Sequence, residues 1–116
     1  MNTDDCIDGA ALDRLRRVGQ DKLVKDMIVI YLDYAPKMLR DALAAEQAAD
    51  CASIERAAHS LKSCAGNLGA SRVHELARRI ESLAREKQFE TLTPLLRELE
   101  TACEQARLRL EQLKPA

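Results

Sequence analysis

The sequence predicts an all-α protein: an antiparallel up-and-down four-helix bundle with a short extra helix at the N-terminus. Apolar residues recur at steps of three and four through four long segments, and no segment alternates with the two-residue period of a strand. Composition agrees, since charged residues make up 32% and aromatics only 3%, and good helix formers dominate. A chain of 116 residues is long enough for one modest core and too short for two, so residues 1–116 are expected to form a single domain.

Each element has its own signals. Asp8 is placed to cap a short helix carrying Leu12, Leu15 and Val18, and Gly19 ends it through its tolerance of left-handed backbone. From Asp21 to about Ala49 runs a long amphipathic segment with Val24, Ile28, Tyr31, Ala35, Met38 and Ala42 on one stripe, widened by Met27, Tyr34 and Ala45. Pro36 falls inside it; a missing backbone donor and a crowded preceding turn predict a bend near Tyr34 and Ala35. Asp50 opens the next helix, from Cys51 to Leu68, with Gly69 as its stop. Ser71 caps the following one, whose Val73, Leu76, Ala77, Ile80, Leu83 and Ala84 keep the spacing. The last helix is expected from the Thr93-Pro94 pair, since proline suits a first turn, and carries Leu95, Leu96, Leu99, Ala102, Cys103, Ala106, Leu110 and Leu113.

The formal net charge is −1 with both signs interleaved, so neither nucleic acid nor an anionic membrane is expected as a partner. No apolar run approaches the roughly 18 to 20 residues of a membrane span. The opening MNTDDC is acidic where a secretion signal is basic and then apolar, which points to the cytoplasm. Cys6, Cys51, Cys64 and Cys103 lie far apart without a C-x-x-C pair, so zinc-ribbon spacing is absent and reduced, mostly buried thiols are expected. Neither His59 nor His74 follows a glutamate by three residues, which disfavours a metal-binding bundle.

One stretch asks for more than packing: AAHSLKSCAGNLGAS, from Ala57 to Ser71. On a helical wheel with His59 at zero, Ile54, Ala57, Ala58, Leu61, Cys64, Ala65 and Leu68 project to the opposite side, spanning roughly 140° to 260° at about 100° per residue. His59 therefore sits near the centre of the solvent face. Glu55, Lys62, Ser63 and Gly66 surround it at i−4, i+3, i+4 and i+7, with Ala52 two turns before. A glycine inside an exposed helix costs about 1 kcal/mol relative to alanine, so Gly66 either frays the helix end or lets something approach the backbone closely. His74 lies off its own helix's apolar stripe and is expected to be a plain surface residue.

An exposed neutral imidazole is a nucleophile near neutral pH, because an unperturbed pKa of about 6.5 leaves one ring nitrogen bare. Acyl transfer would need an oxyanion hole and an orienting triad, and no G-x-S-x-G element is present. Attack on phosphorus asks less of this chain when the donor brings its own metal and positive charge. Lys62 is placed to neutralise part of a phosphoryl charge, and Ser63 to donate a hydrogen bond without blocking access. Neither G-x-x-x-x-G-K-S/T nor G-x-G-x-x-G occurs, so direct use of ATP is not expected.

His59-Ser60-Leu61-Lys62-Ser63, then Gly66 and Leu68-Gly69-Ala70, resembles the H-x-L-K-(G/S) signature, with its following glycine, of histidine-containing phosphotransfer (HPt) domains of two-component phosphorelays. The Leu-x-x-Leu opening helix, the long second segment with Ala35-Pro36 and the leucine-rich closing helix extend the likeness over nearly the whole chain. The resemblance implies a phosphoryl carrier rather than an enzyme with turnover, accepting the group on His59 from a receiver-domain phospho-aspartate and passing it to another receiver aspartate. Its implied partners are receiver domains of a hybrid histidine kinase and a response regulator, with the chain a monomer and without a cofactor of its own. Mg²⁺ is expected in the receiver. Lys62 would hold the phosphoryl group, Ser63 and Gly66 would keep the docking face low, and Gly69 would support the turn; Ala52, Glu55, Arg56 and Asn67 complete the docking candidates. Glu81 falls where several family members have a glutamine, and its charge would repel phosphate. A helical adaptor that binds a signalling protein without phosphorylation of His59 is the alternative.

Overall fold

The computed structural model describes residues 6–116; the acidic opening at residues 1–5 lies outside them. Four helices follow one another, α1 (Gly9–Gln47), α2 (Cys51–Asn67), α3 (Ser71–Arg85) and α4 (Phe89–Leu113), and no strand occurs among the described residues. Connections of three residues leave consecutive helices antiparallel. Their apolar stripes meet in one core built around Val24, Ile28, Ile54, Leu61, Ile80 and Leu96, all essentially inaccessible.

Caps act where the sequence places two of them: Asp8 accepts from Ala10 N–H and Asp50 from Ser53 N–H. α1 is interrupted at Gly19 (φ −134°, ψ 18°) and Gln20 (φ 62°, ψ −164°), so the short extra helix exists as residues 9–18, but the positive φ expected at Gly19 falls on Gln20. The short helix lies against the α2–α3 turn, where Asp8 N–H donates to Gly69 O at 2.7 Å and Ile7, Ala11 and Leu12 are buried. Gly69 adopts φ 72°, and a Cβ there would stand 2.7 Å from Asp8 O and 2.8 Å from Ala11 Cβ. Only glycine meets both demands.

Several expectations need correction. Val18 is 82% exposed, because the helix breaks at the next residue and no further turn carries its face back to the core. Tyr34 sits at the rim of the stripe, 38% exposed. Backbone dihedrals stay helical through Pro36, so α1 is not split there. Pro36 faces solvent while Tyr31 and Ala35 are held in the core, so the loss of one backbone bond is absorbed. α4 starts at Phe89, ahead of Thr93-Pro94, since buried Leu92 adds a turn to the apolar stripe. Ser71 is the first helical residue, not a cap; its hydroxyl donates to Gly69 O. The four cysteines are only partly buried.

The Gly69 turn yields a test. Gly69→Ala should lower stability by about 1–3 kcal/mol through backbone strain and the collision with Asp8 O. Denaturant unfolding monitored by circular dichroism reads this as a lower midpoint at unchanged slope, and an unchanged midpoint would refute the packing described.

Candidate functional site

His59 stands on the outer face of α2, its side chain 61% exposed, with Ala58 and Leu61 beneath it in the core. The imidazole is nevertheless held. Its Nδ1 lies 2.7 Å from Oε2 of Glu81, a residue of α3 whose side chain is only 8% exposed. The other carboxylate oxygen, Oε1, takes Lys62 Nζ at 2.7 Å. Arg85 Nη2 reaches Oε2 at 3.3 Å, and Arg85 Nε donates to Glu55 Oε2 at 2.9 Å. One buried carboxylate thus joins the imidazole, an ammonium and a guanidinium.

Burial pushes the Glu81 carboxyl up, but the hydrogen bonds and positive charges of Lys62 and His59 outweigh burial and hold it below its ordinary value of 4.5. Glu81 is therefore ionised at neutral pH and can only accept. It follows that His59 Nδ1 carries the proton and, in the neutral ring, Nε2 is the bare nitrogen.

The remaining candidates divide between the two sides of this centre. Ala52 and Asn67 are exposed on the same helix, and exposed Arg56 donates to Ser53 Oγ. The Ser63 hydroxyl is turned back onto His59 O at 3.2 Å, so it serves the helix backbone. Gly69 lies buried in the α2–α3 turn and not on the histidine face.

Two residues mean more than their sequence positions suggest. Glu81, read from the sequence as repelling phosphate, is the anchor of the site. The signal was present: Glu81 interrupts the buried row Ala77, Glu81, Ala84 at steps of four and three. His74, expected at the surface, is partly buried and its Nδ1 donates to Lys62 O at 3.0 Å. A Cβ on Gly66 would stand 3.1 Å from that nitrogen. The close approach that Gly66 permits is thus occupied within the chain by the ring of His74.

A helical bundle presenting one exposed, carboxylate-oriented histidine defines a class, and the comparisons give it a family. Residues 26–109 match the Hpt domain model. The fold is similar to the crystal structure of histidine-containing phosphotransfer protein B (HptB) from Pseudomonas aeruginosa PAO1, with a TM-score of 0.88, 24% identity and 94% of each chain covered. No curated protein sequence matches. The chain belongs to the Hpt domain family, the histidine phosphotransfer domains of phosphorelays. Among the described residues no helix is long and apolar enough to cross a membrane.

Because the folded carboxyl titrates below its unfolded value, the stability contributed by Glu81 is present above pH 4.5 and is lost as pH falls through the folded value. Glu81→Gln should be less stable than wild type at pH 7 by about 1–3 kcal/mol, and the gap should close in acid. Urea midpoints across pH 3–7 measure it; a gap independent of pH would show that the charge contributes nothing.

Proposed function

We propose that the chain carries a phosphoryl group on His59 Nε2, accepting it from the phospho-aspartate of one receiver domain and delivering it to the aspartate of another. The observation that supports this most directly is the ion-paired Glu81, which fixes Nδ1–H inward and leaves Nε2 bare on an exposed face. In the accepting step the Nε2 lone pair forms the N–P bond while the aspartyl O–P bond breaks and its electron pair returns to the carboxylate. No proton has to leave the ring. The positive charge that develops on the imidazole sits against Glu81, which stabilises it electrostatically. Delivery is the same step reversed, so the chain acts as a carrier, without turnover of its own.

Donor and acceptor receivers would belong to a hybrid histidine kinase and a response regulator, each supplying its own Mg²⁺, with the present chain a monomer in the cytoplasm. Their landing area extends to one side of His59. Arg56 and Ser60 line the hollow around His59 and also the groove toward α1, which continues to Tyr34 and Met38. Ile30, one turn before Tyr34, is 59% exposed. The groove mixes apolar Tyr34, Met38 and Ala57 with polar Asp41, Asp50 and Ser53, a surface that suits a protein partner better than a free small molecule.

With a phosphorylated receiver and Mg²⁺, the chain should acquire acid-labile, base-stable phosphate, and His59→Gln should abolish it while leaving the circular dichroism spectrum unchanged. Receiver binding without any label on His59 would establish the adaptor instead. Ile30→Asp should slow transfer from the receiver by about tenfold or more, as expected for a charge placed in an apolar contact, yet leave labelling by phosphoramidate, which needs no docking, at the wild-type rate. Equal slowing with both donors would remove Ile30 from the docking surface.

A further inference from the structure

On the carrier reading of His59, the structure raises the question of which cation meets the phosphoryl group. Lys62 is committed: its side chain is 26% exposed, and its ammonium supports a carboxylate that is almost wholly buried. Moving it outward would leave Glu81 with less compensation for its burial. Arg85 is less committed: it too meets Glu81, but at 3.3 Å against 2.7 Å for Lys62, and from the surface. It is the last residue of α3, its side chain is 63% exposed, and it shares Glu81 Oε2 with His59 Nδ1, so the guanidinium and the imidazole are immediate neighbours. The hollow around His59 is lined by Glu55, Arg56, Glu81 and Arg85.

We infer that Arg85 is the phosphoryl-holding cation and that Glu55 is its competing counter-ion, so that phosphorylation of His59 exchanges the guanidinium from Glu55 to the phosphoryl oxygens. The exchange is favoured by the strengths of the two contacts. The Arg85–Glu55 pair is made at the surface, with side chains 63% and 31% exposed, and such pairs contribute little. A phosphoryl group offers a guanidinium a bidentate, doubly charged partner. Glu55 lies one helical turn before His59, where its charge would oppose a phosphoryl group once Arg85 has left it. It therefore sets how readily the phosphoryl group is retained.

The two ends of this ion pair give opposite predictions, which separates a clamp from a structural contact. Each single variant removes the Arg85–Glu55 pair, so loss of that pair alone moves both in one direction; Arg85→Ala also removes the contact with Glu81, which the unfolding control monitors. A clamp shortens the phosphohistidine lifetime by about threefold in Arg85→Ala and lengthens it by about twofold in Glu55→Gln, where Arg85 is released to the phosphoryl group. The double variant should match Arg85→Ala. The experiment labels the full chain with phosphoramidate, removes the donor, and follows loss of base-stable phosphate at pH 8, with thermal unfolding as the control for folding. Changes of the same sign, or none, overturn the inference while leaving the carrier role standing. Failure of the wild-type chain to take label on His59 overturns the carrier role itself, and this inference with it.

Discussion

A carboxylate inside a protein is costly unless charges and donors replace the water it has lost, and in this bundle the compensation for Glu81 organises the histidine face. Two of its partners, His59 and Lys62, come from α2 and the third, Arg85, from one turn along its own helix. The cluster therefore does two things at once. It ties α3 to α2 at the level of the histidine, and it selects the tautomer and orientation of the ring. Without it the imidazole would be a freely rotating surface side chain with either nitrogen protonated.

A second polar tie lies along the same seam. His74 donates to the carbonyl of Lys62, the residue whose ammonium holds Glu81, so both ends of Lys62 are used to join the two helices. Gly66 belongs to this arrangement, since a side chain there would crowd the ring of His74. The histidine face is consequently unequal on its two sides. Toward α3 it is polar and cross-linked, while toward α1 it opens into a groove where Tyr34 and Met38 stand among Asp41, Asp50 and Ser53. Orientation of the ring comes from the first side, and the second remains available to a partner.

The fold was legible because its signals are local. Helical periodicity, the caps at Asp8 and Asp50 and the glycines at positions 19 and 69 each depend on residues a few places apart. The misread positions are those where the wider structure overrides a local rule: burial of Leu92 draws α4 back past its proline, and the break at Gly19 and Gln20 leaves Val18 outside the core. The exposure of His59 was legible for the same reason, being set by its own helix. Glu81 and His74 were not, because their meaning depends on which helix lies on which side of α2. A charged residue at stripe spacing marks a buried polar group without naming its partner.

Charge balance bears on what such a site can hold. Glu55 and Glu81 are balanced by their ion-pair partners Lys62 and Arg85, and Arg56, which also lines the hollow around His59, adds one positive charge. A phosphoryl group arriving on Nε2 brings negative charge that the positive ring and Arg85 only partly offset. A larger surplus of cations would bind the group tightly, and a surplus of anions would keep it from forming. A relay intermediate needs neither extreme, because an acceptor aspartate must be able to take the group away at a low barrier. Holding the ring by a carboxylate meets this need: the anion stabilises the imidazolium that accompanies transfer in both directions, yet offers the phosphate itself no attraction.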